Sequence, residues 1–138
     1  MADERLQRLR KICLALPEAA EEPGRVSVVS IFKVREKAFI WHLNNHHGDG
    51  RIAIWYKAPP GEQAVLVASD PKRFFVPPYV GPKGWIGVRL DVGEVDWSEV
   101  AEIVEESYRM TAPKRLVAAL DSQRGSPASG GAGSAAPG

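Results

Sequence analysis

The residues of this 138-residue chain that are best suited to chemistry lie between positions 69 and 90, in the stretch SDPKRFFVPPYVGPKGWIGVRL. A basic pair, Lys72 and Arg73, precedes two phenylalanines and a Pro-Pro-Tyr step. We predict a β-hairpin with a rigid tip, because Pro78 and Pro82 fix φ while Gly81 and Gly84 permit the positive φ that tight turns need. A rigid, basic tip flanked by aromatic rings is a plausible surface for contact with a polyanion.

Nucleic-acid binding would need cations for salt-sensitive phosphate contacts and aromatic rings that stack on exposed bases. The residues that we predict for these contacts are Arg35, Lys37, Lys72, Arg73, Tyr79, Lys83, Trp85 and Arg89. Tyr79 and Trp85 could instead pack as core or rim aromatics that hold the hairpin, and Lys72 with Arg73 could flank a helix end. No helix-turn-helix, zinc-finger or RNP signature is present, so we expect weak binding driven by the phosphate backbone.

The charges of the chain are unevenly distributed, although the net charge is only +1. Residues 23–90 contain ten basic and four acidic residues, a net charge of +6. Residues 91–111 contain seven acidic residues and one basic residue, a net charge of −6. A polyanion responds to the local field, so the basic half can present a binding face. Alternatively, the two halves neutralise each other where they pack.

Several classes of protein are disfavoured by composition and termini. No apolar run approaches the ~20 residues of a membrane span, and the N-terminus is charged where a signal peptide would be apolar. We therefore expect a cytoplasmic protein. The single cysteine, Cys13, excludes an internal disulfide and a Cys-pair metal site. Cys13 lies on the apolar stripe of the first predicted helix, which favours a buried thiol over a nucleophile.

We expect a non-enzymatic protein with no catalytic residue and no cofactor. The sequence has no nucleophile elbow, no phosphate-cradling loop and no His–carboxylate pair at a spacing that would force a dyad. His46, His47 and Asp49, with His42 nearby, are potential metal ligands. Adjacent histidines point in different directions, however, and the Gly-Asp-Gly run that follows is a good turn by itself. We predict no metal site there.

The N-terminal part predicts a helix followed by a meander of strands. Apolar residues at spacings of three and four indicate a helix over residues 3–16, which Pro17 ends. An acidic linker at residues 18–23 follows. Strands are predicted over residues 25–34, 37–43 and 51–57, with a charged turn between the first two. Residues 61–68 read as a short helix with Val65 and Leu66 facing inward.

The C-terminal part predicts two helices after the hairpin. Asp96 and Glu99 form a capping box, and Val95 with Val100 can form the hydrophobic staple around it. A shorter helix is predicted to start at Pro113 and to end near residue 120. Antiparallel strands with helices at both ends imply an α+β fold, a two-layer sandwich in which an antiparallel sheet of about five strands packs helices on one face. We expect one domain over residues 1–121 and a disordered Gly/Ala/Ser/Pro tail over residues 122–138.

Four segments give the chain a family resemblance: ALPEA at the end of the first helix, SIFKVREKAFI, ASDPKRFFVPPYVGPKGWIGVRL and VDWSEVAEIVEESYRMTAPKRL. Over about residues 5–120 the chain resembles the MmcQ/YjbR family. The resemblance implies a CyaY-like fold related to frataxin and DNA binding through two hairpins that act as paired wings. One wing would be the turn at residues 35–37, and the other the turn at residues 79–85 with Lys83 and Trp85. The sequence departs from another common family version, Asn-Lys-Lys-His-Trp, because Gly81, Pro82 and Gly84 stand where extra polar groups would be.

Three functions remain open from the sequence. The first is a DNA-binding module that uses the basic hairpins. The second is a protein-interaction or regulatory domain that uses the acidic helix of residues 96–109, from Asp96 to Arg109, or an exposed aromatic groove. The third is a small-molecule or metal-binding module. We expect a monomer in each case.

Overall fold

The computed structural model describes residues 4–24, 29–44 and 50–124. Within these residues the chain forms six strands and four α-helices. The strands are β1 (Ala19–Pro23), β2 (Val29–Val34), β3 (Lys37–Asn44), β4 (Ile52–Tyr56), β5 (Phe74–Phe75) and β6 (Ile86–Arg89). The helices are α1 (Glu4–Leu14), α2 (Glu62–Ser69), α3 (Trp97–Thr111) and α4 (Lys114–Arg124). None of these helices has the length and apolar character needed to span a membrane.

The strands form one open antiparallel sheet in the order β1-β2-β3-β4-β6-β5. The α+β class is confirmed, but the sheet has six strands where about five were expected. The additional strand is β1, which lies where an acidic linker was predicted and pairs with β2 from Ala19 to Pro23. Its glutamates are tolerated because β1 is an edge strand, where charged side chains reach solvent or surface partners.

Helices cover one face of the sheet, called the helix face here. Strand residues that point to this face include Phe32, Ile54 and Val88, each at most 1% exposed. The stripe of α3 that meets them includes Val104 and Tyr108, and the Tyr108 ring packs edge-on against Phe39. The apolar stripe of α3, which was predicted from its 3.6-residue period, therefore lies at the centre of the core.

The opposite face, called the open face, carries a smaller aromatic cluster. Trp41 and Trp55 are direct partners on β3 and β4, and their rings stack with centroids 5.6 Å apart. Trp85 and Val80, from the segment between β5 and β6, pack against this cluster. A loop, rather than a helix, thus supports the open face.

The predicted hairpin of residues 69–90 is present in modified form. Its strands pair, but β5 has only two residues, and the turn contains a 3₁₀-helix at Gly81–Lys83. Positive φ occurs at Gly84, as predicted, and at Tyr79. Gly81 does not adopt positive φ and is instead required by close packing, because a Cβ there would lie 2.6 Å from Val76 Cγ1.

Helix boundaries are close to those predicted, although α1 ends at Leu14, two residues before the predicted end. Two further differences concern α2 and α4. In α2, Leu66 packs toward the core, but Val65 is 65% exposed, so its predicted inward orientation was wrong. Helix α4 extends to Arg124, beyond the predicted end near residue 120 and into the start of the predicted tail. The rest of that tail, 125–138, lies outside the described residues. The N-cap of α3 is as predicted, because Asp96 accepts hydrogen bonds from the backbone of Ser98 and Glu99.

Candidate nucleic-acid interface

A cavity of about 320 Å³ opens between the two predicted wing turns on the open face. We call it the lysine cleft. Its lining residues come from three separate segments of the chain: Lys37, Ala38, Trp41, Lys57, Val80, Lys83 and Trp85. Three lysines and two tryptophans therefore border one opening.

Local structure places each lysine at the cleft. Lys37 begins β3 directly after a two-residue turn in which Arg35 and Glu36 both have positive φ. Such a turn matches the twist of a hairpin, and it brings Lys37 opposite Val34. Lys57 directly follows β4, and its backbone N–H donates to Ser107 Oγ at 2.9 Å.

The third lysine, Lys83, ends the 3₁₀-helix, and a side chain of α2 anchors this segment. Gln63 Nε2 donates to the Gly81 carbonyl at 2.9 Å and to the Trp85 carbonyl at 2.6 Å. These two bonds flank Lys83 in sequence. They hold the predicted tip against the body of the protein.

The three lysines act on one another electrostatically. Burial and the charges of Lys37 and Lys83 lower the pKa of Lys57 below its ordinary value. Lys57 Nζ also lies 5.9 Å from the centroid of the Trp85 ring, within reach of a cation–π contact. The cleft is thus a concentration of positive charge that lacks a compensating acid among its lining residues.

Comparison with known proteins agrees with this fold. The profile of the YjbR family matches residues 14–110, more than half of the chain. The chain belongs to the YjbR family. The crystal structure of Deinococcus radiodurans protein DR2400, a DUF419 domain, is similar with a TM-score of 0.62 and 22% sequence identity, covering 75% of each chain. At that identity the likeness supports the fold alone. No curated protein matches the sequence.

Lys37, Lys83 and Trp85 are the predicted contact residues that this YjbR chain brings together at the cleft. Trp85 is only 7% exposed, so its ring supports the loop, as in the packing alternative. Tyr79 is 72% exposed at the tip. Lys72 is also exposed, in the turn before β5.

Three predicted arginines are engaged with carboxylates elsewhere. Arg35 Nε donates to Glu18 at 2.6 Å. Arg89 Nε donates to Asp91 at 3.0 Å. Arg73 pairs with Glu99 of α3. These pairs reduce the capacity of the three arginines for phosphate contact. DNA contact by the full set of eight predicted residues stays a prediction.

Four lining residues of the cleft were not among the predicted contact residues, and two of them, Lys57 and Trp41, have side chains suited to nucleic-acid contact. The sequence feature that could have identified Lys57 is the alternation of side chains along a strand. If Tyr56 faces the helices, then Trp55 and Lys57 face the opposite side of the sheet. Trp41 lies on that side because it pairs with Trp55. Placing both beside Lys83 required the strand register and the path of the β5–β6 loop.

The other candidate chemistries involve Cys13 and the histidines. Cys13 is fully buried, and burial raises the pKa of its thiol well above the ordinary value, which fits a core residue. His42 is buried within β3. His46, His47 and Asp49 lie outside the described residues. Within the described ranges, no group of three or more His, Cys, Asp or Glu side chains could hold a metal ion.

Proposed function

We propose that this YjbR protein is a non-enzymatic DNA-binding module whose lysine cleft contacts the phosphate backbone. The observation that carries the proposal is the convergence of Lys37, Lys57 and Lys83 between the two wing turns. Lysines supply the sequence-independent, salt-sensitive part of DNA affinity. The proposal accordingly concerns weak binding without base readout.

A phosphate would relieve a conflict that exists in the cleft. Burial and, to a smaller extent, the charges of Lys37 and Lys83 lower the pKa of Lys57, so holding all three ammonium groups charged in the cleft costs free energy. An anion among them would offset that repulsion. The cavity of about 320 Å³ is roughly ten times the ~30 Å³ of one liquid water molecule, which leaves room for a phosphate and part of a sugar.

Aromatic side chains next to the cleft suit a nucleic-acid partner. Trp41 is half-buried, and its ring is held in place by stacking on Trp55. Tyr79 directly precedes the cleft residue Val80 in the chain and is strongly exposed. Rings held in this way can pack against a sugar or an unpaired base, which favours distorted or single-stranded DNA over a regular duplex.

The test is fluorescence anisotropy of labelled duplex and single-stranded DNA at several salt concentrations. Replacing two cleft lysines together, Lys37→Gln with Lys83→Gln, should remove about two phosphate contacts. The slope of log K against log[salt] should then become shallower by about 1.4–1.8, and affinity at low salt should fall by roughly tenfold or more.

A matched control carries the same charge change on the helix side of the protein. Lys11→Gln with Lys114→Gln removes two exposed lysines from α1 and α4. This control should leave the salt slope within about 0.5 of the unsubstituted protein. Equal losses in both double variants, or no binding of the unsubstituted protein at low salt, would refute the proposal.

A further inference from the structure

A second cavity, also of about 320 Å³, lies on the helix side between α2 and α3. We call it the acidic cavity. Four glutamates line it: Glu62, Glu99, Glu102 and Glu106. Its remaining lining residues are Tyr56, Leu66, Phe74 and Ile103. The cavity therefore combines carboxylates with apolar and aromatic walls.

Tyr56 makes this more than a cluster of acids. It is only 1% exposed, and its hydroxyl has no hydrogen-bond partner within the described part of the chain. A buried hydroxyl without a partner carries a desolvation cost, which a ligand can remove. Tyr56 lines the cavity together with Glu62, Glu99 and Glu106, and burial and the charges of these glutamates raise the pKa of Tyr56.

The charge of the cavity is only partly compensated. Arg73 pairs with Glu99 at its rim, so one glutamate has a cationic partner supplied by the protein. Glu62 has a raised pKa, caused by burial and by the charge of Glu106. Burial is the larger cause, and the smaller contribution of Glu106 shows that these two carboxylates repel one another; a positive ligand would stabilise both.

The chemistry of the walls selects the kind of cation. No metal-binding group of three or more acidic, histidine or cysteine side chains occurs in the described residues, so these glutamates are too dispersed to share one small ion. An alkylammonium is larger: its N–H groups can reach separate carboxylates, and its methylenes can contact Leu66 and Ile103. The Tyr56 hydroxyl oxygen can accept one further N–H. The Phe74 ring already faces the Arg73 guanidinium, whose Cζ lies 5.0 Å from the ring centroid, so Phe74 serves the ligand only as an apolar wall.

We propose that the acidic cavity is a binding site for a primary alkylammonium group, with Tyr56 as its buried hydrogen-bond acceptor. The group could belong to a free diamine or to a lysine side chain of a partner protein. This site is separate from the lysine cleft, and the proposal stands or falls independently of DNA binding.

The experiment is an NMR titration of the full chain with 1,4-diaminobutane, followed through the methyl signals of Leu66 and Ile103. A second titration uses a short peptide with one central lysine, and sodium and magnesium chlorides at matched ionic strength are the reference salts. Saturable shifts with the diamine or the peptide, and not with the salts, are expected. Tighter binding of the peptide would assign the site to a protein partner, and tighter binding of the diamine to a free amine.

Two variants identify the contacts. Glu106→Gln should weaken binding by about tenfold, since it removes a charged acceptor. Tyr56→Phe should weaken binding by about threefold without lowering stability, because the hydroxyl has no partner to lose within the described structure. Glu94→Gln, at an exposed position outside the cavity lining, is the matched control and should bind like the unsubstituted protein.

The proposal is overturned if the methyl signals shift equally with magnesium and with the diamine. It is also overturned if Tyr56→Phe folds normally and binds the diamine with unchanged affinity. The proposal is likewise overturned if neither the diamine nor the lysine peptide produces a saturable shift.

Discussion

At the scale of single residues, Ser107 connects the core to the lysine cleft. Its hydroxyl donates to the Phe39 carbonyl at 2.6 Å and accepts from the Lys57 N–H at 2.9 Å. Ser107 is fully buried on α3, so it links the helix to β3 and to the end of β4. A small hydroxyl side chain thus satisfies two backbone groups that the sheet leaves unpaired at this point.

Replacement of this side chain, Ser107→Ala, should lower the free energy of unfolding by about 2–3 kcal/mol, because two buried backbone groups lose their partner. Urea unfolding followed by circular dichroism measures the change. Ser98→Ala is the control: Ser98 is exposed in the first turn of α3, and we expect a change of less than about 0.5 kcal/mol. Similar losses in both variants would contradict the bridging role of Ser107.

At the scale of elements, α2 sets the position of the β5–β6 loop through Gln63. The loop itself has short-range hydrogen bonds, including that from the Gly84 N–H to the Gly81 carbonyl at 2.9 Å. Gln63 ties both ends of this turn to the helix. The basic tip is therefore a supported structure.

Gln63→Ala should remove the side-chain donor from the Gly81 and Trp85 carbonyls, of which Gly81 keeps its bond from the Gly84 N–H, and should lower stability by about 1–2 kcal/mol. Hydrogen exchange is the more direct measurement, since the Gly84 amide should exchange faster while amides of β3 and β4 change less. Gln7→Ala, on the exposed side of α1, removes the same side chain without such contacts and serves as control. Unchanged protection of Gly84 in the Gln63 variant would be inconsistent with the anchoring described.

The same scale explains how far the elements could be predicted. The start of α3 was predicted correctly because a cap is a local feature: Asp96 bonds within its own first turn. Strand β1 was missed because Ala-Ala-Glu-Glu-Pro has neither β-branched residues nor apolar alternation. Its strand conformation depends on pairing with β2, which a local pattern does not encode.

At the scale of the whole molecule, parts of the two halves of the charge pattern lie on opposite sides of the sheet. Lysines of the basic segment meet on the open face, and glutamates of α3 border the helix-side cavity. The Arg73–Glu99 pair joins the two segments, as the neutralisation alternative predicted. Lys37 and Lys83, both predicted contact residues, line the same cleft as Lys57. This proximity depends on the sheet register, which a sequence pattern does not encode.

Arg10 and Glu21 fasten α1 to the edge of the sheet, and this pair predicts a pH dependence. Arg10 donates to both carboxylate oxygens of Glu21, at 2.5 and 2.9 Å, and these bonds lower the pKa of Glu21. The contribution of Glu21 is therefore present above its unfolded pKa of about 4.3 and is lost as pH falls through the lower folded pKa. Glu21→Gln should cost about 0.5–1 kcal/mol at pH 7 and much less at pH 3, by urea unfolding at both pH values.

The neighbouring variant Glu22→Gln provides the control. Glu22 is more exposed and contacts Lys33 through a single oxygen at 3.1 Å. Its replacement should change stability by less than about 0.5 kcal/mol at either pH. A difference between Glu21→Gln and the unsubstituted protein that stays constant from pH 7 to pH 3 would contradict the assignment.

The two borders of the sheet bear on self-association. An open sheet can recruit a further strand from another copy wherever it offers a long row of unpaired backbone groups. Here β1 ends one side with two glutamates and Pro23, which has no N–H to donate, and β5 ends the other side after two residues. Neither border is a good template for strand addition, so the architecture resists fibre-like growth at both ends.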